Sequence, residues 1–396
     1  MSNEEGGLSC QPVTNQKENN QMSRILLLLQ LVALVAALCS TSVAQHILTN
    51  DDNPSGNTAT SFPGDVVLHT GGKGLGGGYL ANTGTAISSN AHCVFVADTG
   101  SDDIASFVAP AYGLVGRFSN PALNFSANGL GGSIALAPNS KFLYGGYSGS
   151  SNIGAWAVNS NCSLTFIAAY VPSIGADFFS PLAVTPNGMS LIVSAPDLEA
   201  AEVFRINANG TLTDLNSVSW AGVGMCPTVG CFPSGIDITA DSKVAVFGNG
   251  TLNLPSALSA AIGAGGLSNP QFWDLSNSAG VQNDEVPWFS RPGASGNGFL
   301  YFGMSGFGPG APGGEVTAKF TEFPLNIVVV NSTTISTPDG LQGAIRSHGN
   351  LMYVAVYPNT IDTFKINSNG SLTFINPTSD PQGVALLSLS VYPNTR

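Results

Sequence analysis

Two arginines, a few acidic pairs and a scatter of aromatics are the side chains with which this chain could do chemistry. Arg291 and Arg346 stand on or beside apolar, alternating segments where other charges are rare. A guanidinium there could anchor a carboxylate or phosphate through a bidentate pair, or simply cap carbonyls at a strand end. Asp51-Asp52, and Asp98 with Asp102-Asp103, concentrate oxygen atoms in short polar segments. Such oxygens suit Ca²⁺, yet an Asx-type turn explains the Asp98–Asp103 spacing equally well, and no EF-hand-like alternation completes a site. Asp177-Phe178-Phe179, Trp220, and Asp284-Glu285 with Trp288 set carboxylates beside aromatic rings. That combination suits a sugar or a cationic ligand, while packing between sheets would use the same rings. No Gly-x-Ser-x-Gly elbow occurs, so a serine hydrolase has no motif. No other cofactor signature is found; Ca²⁺ is the one ion left open.

Repeats must position these residues. Trp156-Ala-Val-Asn-Ser-Asn-Cys-Ser-Leu-Thr-Phe166 echoes Phe204-Arg-Ile-Asn-Ala-Asn-Gly-Thr-Leu-Thr-Asp214 and Phe364-Lys-Ile-Asn-Ser-Asn-Gly-Ser-Leu-Thr-Phe374. Alternating apolar residues around Asn-Gly mark a hairpin, because its turn needs positive φ. A second hairpin recurs one strand earlier, at Ile134–Tyr144, Leu182–Ile192 and Ile236–Val246, with looser copies from Thr85 and Gly343 and a degenerate one around Phe289–Phe302. The period, about 50 residues, is that of a four-stranded propeller blade. Six starts and the two chain ends predict an all-β, seven-bladed β-propeller of four-stranded antiparallel blades. In the seventh blade Gly383–Val391 supplies the inner strand, and His46–Asn50, Asn57–Phe62 and Asp65–Thr70 supply the other three. Closure of this kind removes open sheet edges. Leu252–Gly266 of blade four is expected to be a short helix or a long loop between its second and third strands, and Gly303–Gly314 of blade five a mobile or wrapped loop.

On that frame His46 and His69 belong to the closing blade, His92 takes the hairpin slot of Lys141 and Lys243, and His348 takes an Asn turn slot. None is expected to line the channel, which argues against a His base or a His-held metal.

Composition agrees with one repetitive domain. Gly (48) and Pro (24) are spread through all 396 residues, and charged residues are only 9%, against about 25% in an average soluble protein. The net charge of −12 comes without a Lys/Arg cluster, which argues against nucleic-acid binding. Residues 1–21 read as a polar extension. Met22–Ala44 reads as a signal peptide: Arg24, the apolar run Ile25–Cys39, and small residues before a cut after Ala44. Residues 45–396 form the domain. The expectation is a secreted or periplasmic monomer with no transmembrane segment after cleavage. Cys226 and Cys231, in a Pro/Gly loop, are expected to pair. Cys93 and Cys162, placed on an inner β position and a hairpin turn, are not.

The Pro-Asn-Gly/Ser hairpins at Pro138 and Pro186, the Phe-Leu-Tyr and Leu-Ile-Val strands after them, and the Asn-Gly-Ser/Thr-Leu-Thr hairpins resemble the lactonase-type seven-bladed propellers. That family includes 6-phosphogluconolactonases and carboxymuconate lactonising enzymes. The resemblance spans Gln45–Arg396 and implies the fold, with lactone hydrolysis as the family chemistry. Ser194-Ala-Pro-Asp-Leu-Glu199 resembles the family's Pro-Asp-Leu-Gly stretch. The family's His, Arg-His and Glu positions read here as Ser180-Pro181, Ser234-Gly235 and Gly248-Asn249-Gly250. The leading expectation is therefore a non-catalytic module that binds a small molecule, carbohydrate or protein on its acidic, aromatic-lined face. A lactone hydrolase using Arg291 or Arg346 comes second, and a structural cell-surface module third.

Overall fold

The computed structural model describes residues 46–76, 84–125, 132–175, 181–250, 254–275, 285–286, 293–295, 298–306, 314–322, 325–334, 342–386 and 388–392. Residues 1–21 and the segment Met22–Ala44 expected to be a signal peptide lie outside them. Among the described residues no helix is long and apolar enough to cross a membrane.

Seven antiparallel sheets follow one another along the chain. Blade one runs Thr85–Ile87, Cys93–Asp98, Asp103–Val108, Gly113–Phe118, from inner to outer strand. Blades two, three, four and six repeat this order, with inner strands Ser133–Leu136, Leu182–Val184, Pro233–Ile238 and Gln342–His348. The seventh sheet joins the chain ends in the order Ser388–Tyr392, His46–Asn50, Thr58–Phe62, Val66–His69. Its register pairs Leu48 with Ser390 and Asn50 with Ser388.

The echoes in the sequence are the same turn at atomic scale. Ala91, Ser140, Gly188 and Ser242 occupy equivalent left-handed positions. Each donates its N–H to the residue three back, at 2.7–2.8 Å. The preceding Asn90, Asn139, Asn187 or Asp241 accepts the N–H two residues on, at 2.9–3.1 Å. The local chemistry thus fixes the turn independently of the rest of the blade.

Seven apolar clusters hold the ring, one between each pair of neighbouring blades. The core is therefore divided among interfaces between blades.

Three expectations are corrected. The described part of Leu252–Gly266, from Leu254, is neither a helix nor a long loop: Ser256–Gly263 is the third strand of blade four, pairing Ala257 with Gly248 and Trp273. Leu258 and Ala260 of this strand pack in one buried cluster with Trp220 and Phe247. In blade five Phe299–Gly306 carries the strand four residues into the expected loop, and its inner edge is two short pieces, Glu285–Val286 and Gly293–Ser295. Thirdly, Cys93 and Cys162 are disulfide-bonded, with Cα atoms 5.3 Å apart. In blades two, three and six the third-to-fourth-strand turn lies against the second strand of the blade before it. At the equivalent places Phe142 covers Gly210 and Phe299 covers Gly370. Two cysteines replace that aromatic-over-glycine pair between blades one and two. Cys226 and Cys231 pair as expected, around a four-residue helix Cys226–Val229.

Candidate functional site

A cavity of about 400 Å³ occupies the axis at the hairpin end of the ring. Its wall is made of the inner strands and their turns: Thr85–Ser89, Ile134–Pro138 with Ser140, Leu182–Val184 with Pro186, and Ser390–Tyr392. Among the described residues blade six contributes Arg346, the single charged side chain of the described lining. Arg346 is half-buried and donates from Nη1 to the carbonyl of Ile345 at 2.7 Å, so part of its fork caps its own strand. Around it the wall offers hydroxyls. Ser390 Oγ donates to the Thr85 carbonyl at 2.9 Å, and its hydroxyl meets that of Thr85 at 2.8 Å. A cation ringed by hydroxyls and aliphatic strand suits a small anion carrying hydroxyl groups. Among the described residues the lining holds no imidazole and no carboxylate, the usual groups to activate water.

At the opposite end, where second strands turn into third strands and blades hand over to the next, the acids collect. Most of them are occupied by backbone. Asp52 Oδ1 accepts from Leu75 N at 2.8 Å and from Thr99 Oγ1 at 3.2 Å. Asp102 Oδ1 accepts from Phe125 N at 2.8 Å. Glu202 takes Ser173 N and Ile174 N, each at 3.0 Å, and Glu199 takes Cys231 N at 3.1 Å. All these backbone donors lie in connections between blades. The carboxylates are clamps that hold each crossover over the ring.

Asp103 faces Asp98 across its hairpin and pairs with Arg117, whose Nε and Nη2 both reach the carboxylate. Asp98 is fully buried and accepts from Asn57 Nδ2 at 2.8 Å. Burial, with the Asp103 charge adding to it, raises the Asp98 carboxyl to about 8. A Cβ on Gly72 would overlap that carboxylate, so only glycine lets the crossover pass here. Asp98 Oδ1, Asp102 and Asp103 thus accept from an amide, a backbone N–H and a guanidinium, while Asp98 Oδ2 is buried with no hydrogen-bond partner among the described residues.

Trp220 is wholly buried between blades three and four, edge-on to Phe247 with centroids 5.0 Å apart, and donates to the Ser259 carbonyl. It presents no face to a ligand. Arg291, Asp177, Phe178, Phe179, Asp284 and Trp288 lie outside the described residues. Glu285 begins a two-residue strand paired to Gly306. Of the positions aligned with the family's catalytic set, Ser234 is buried in the inner strand of blade four, and buried Asn249 bridges Phe232 N and Ser256 Oγ. His92 sits beside Cys93 and Cys162, but the two sulfurs are bonded to each other and offer no thiolate. Thr85 and Ser390 carried no motif; their place on inner strands was the available signal.

No family model matches the sequence, and no curated protein sequence matches it. Solved structures do match in shape. A candidate 6-phosphogluconolactonase from Bacteroides fragilis superposes with a TM-score of 0.62 at 14% identity, covering 89% of this chain and 99% of that one. The periplasmic gluconolactonase of Pseudomonas aeruginosa gives 0.59 at 14% identity, covering 89% and 100%. A protein from Lactobacillus plantarum gives 0.61 at 12%, covering 88% and 99%. The chain has the lactonase-type propeller fold. At such identities the likeness speaks for the fold alone, and the lactonase-type propeller is a scaffold on which sites differ.

Proposed function

We propose that this lactonase-type propeller works outside the cytoplasm and binds a small hydroxylated carboxylate, of the sugar-acid class, in its axial cavity without hydrolysing a bond. The observation that carries the reading is Arg346, a cation among hydroxyls in a cavity whose described lining holds no imidazole or carboxylate. The extracytoplasmic part rests on the signal-like segment and is supported by two disulfides. This reading moves the ligand from the acidic end of the ring, where the described carboxylates are already engaged, to the hairpin end.

Lactone hydrolysis is the second reading, favoured by the names of the structural neighbours. One titration separates the two. Gluconate and glucono-δ-lactone are added to the purified protein by calorimetry, with acid release followed in parallel. Binding of gluconate that weakens tenfold or more in Arg346→Ala, with no acid release above background, supports the binding module. Acid release that Arg346→Ala abolishes would replace it with the hydrolase. Absence of both heat and turnover would overturn the cavity assignment.

A further inference from the structure

Asp51 and Asp380 are fully buried and face each other across the place where the ring closes. Asp51 follows the N-terminal strand His46–Asn50, and Asp380 follows Leu372–Ser379, the outer strand of blade six. Two hydroxyls bridge the carboxylates. Thr49 Oγ1 lies 3.1 Å from Asp51 Oδ1 and 2.7 Å from Asp380 Oδ2. Thr60 Oγ1 lies 3.2 Å from Asp51 Oδ2 and 3.2 Å from Asp380 Oδ1. Thr58 Oγ1 reaches Asp51 Oδ2 at 2.5 Å, and Gln382 N reaches Asp380 Oδ1 at 3.1 Å. Each threonine has one hydroxyl proton and cannot donate to both acids at once.

Two buried carboxylates this close cannot both stay ionised without a counter-charge. Among the described residues, the surrounding elements hold none against them. Thr58–Phe62, Leu372–Ser379 and Ser388–Tyr392 have no charged residue. On the N-terminal strand His46 is at the far end, and Asp52 spends its carboxylate on Leu75 and Thr99. His69, opposite Thr58 on the outer strand, points to solvent. Thr360–Ile366 of blade six adds another acid, Asp362, and carries Lys365 at the end away from Ser379.

The pair also sits where the closure is tied. The Asp51 carbonyl accepts from Val384 N at 3.1 Å and Ala385 N at 3.4 Å, while Asp380 N donates to Asn359 O at 2.7 Å. The crossover into the last strand is thus stitched to the N-terminal segment and to a hairpin of blade six around these two acids.

We infer that Asp51 and Asp380 are a proton-operated clasp: one proton held between them fastens the N-terminal strand to the crossover that delivers the C-terminal strand, and its loss loosens the closing blade. Burial, then the Asp380 charge, raises Asp51 to about 7. A carboxyl raised in the folded state contributes stability that is full below its unfolded value near 4 and declines as pH rises through 7. The clasp is therefore tight in acid surroundings and slack in alkaline ones.

Urea unfolding of the full chain from pH 5 to pH 8 tests this, with wild type beside Asp51→Asn and Asp380→Asn. Asparagine can donate as the protonated acid does and cannot ionise. The wild-type folding constant is expected to fall between pH 5 and pH 8, with about a hundredfold of that fall due to this pair. Either variant should remove its share and be the more stable protein at pH 8. Hydrogen exchange in wild type, corrected for intrinsic rate, should open residues 47–49 and 389–391 at least tenfold more at pH 8 than at pH 5. Parallel pH curves for wild type and variants overturn the clasp. So does a Ca²⁺-dependent rise in wild-type stability at pH 8 that the variants lack, which would make the pair a cation site. If neither variant folds, unchanged exchange of the two strands in wild type overturns it alone.

Discussion

The two ends of the propeller axis use charge in opposite ways. At the crossover end, carboxylates are numerous, buried or half-buried, and engaged: Asp52, Asp102, Glu199 and Glu202 accept backbone N–H groups, and Asp103 holds Arg117. At the hairpin end one cation, Arg346, borders an open cavity otherwise walled by hydroxyls and aliphatic strand. The difference teaches that a count of acids along the chain measures how the connections are pinned, and says little about what the surface offers a ligand. A crossover between blades carries several N–H groups that no ladder satisfies, and a carboxylate from the adjacent hairpin satisfies them at short range.

The comparison can be broken most sharply at Trp220. If it belongs to the wall between blades, Trp220→Ala costs about 3–5 kcal/mol in urea unfolding. A variant of wild-type stability that loses ligand would instead return the binding site to the crossover end.

The two disulfides come next. Replacing Cys93 and Cys162 together by serine should cost about 4 kcal/mol, and the same change at Cys226 and Cys231 about 2 kcal/mol, since the closed loops span separations of 69 and 5 residues. Equal losses would mean that the inter-blade bond adds nothing beyond local closure.

Asp98 sharpens the claim about buried acids. Its carboxyl is raised to about 8, so it stabilises the fold fully below pH 4 and progressively less as pH climbs to 8. Asp98→Asn should flatten that decline and raise the folding constant at pH 8 about tenfold over wild type. A variant less stable than wild type at pH 8 would show that the ionised form is the one the fold needs.

Arg346→Ala is expected to have the smallest effect on stability, within about 0.5 kcal/mol, as for a substitution outside the core. A large loss there would make Arg346 a structural cap and leave the cavity without its anchor.

Much of this architecture was legible before any coordinates. The Pro-Asn-Gly and Asn-Gly turns are local devices whose side chains bond two residues away, and their spacing alone set the blade period and the closure by both chain ends. What reads poorly is whatever depends on the next blade. Cys162 meets Cys93 because one blade's outer turn rests on its neighbour's second strand, and the repeat alignment held a trace of it: the cysteines stand where Phe142 and Gly210 stand one blade on. Leu252–Gly266 looked like an insertion because its small residues lack strand propensity, and only the packing of Leu258 and Ala260 with Trp220 and Phe247 shows that they belong to the blade. Asp51 and Asp380 lie 329 positions apart, and no spacing rule joins them.

By itself, then, the sequence determined the turns, the strands and the count of blades, because those arise from hydrogen bonds within a few residues and from alternation along a strand. The tertiary structure decided which acids are clamps, which cysteines pair, that Trp220 is wall, and that Arg346 reaches the axial cavity. Those are questions of what stands opposite a side chain across a blade interface, and an interface of that kind joins residues that the chain itself keeps far apart.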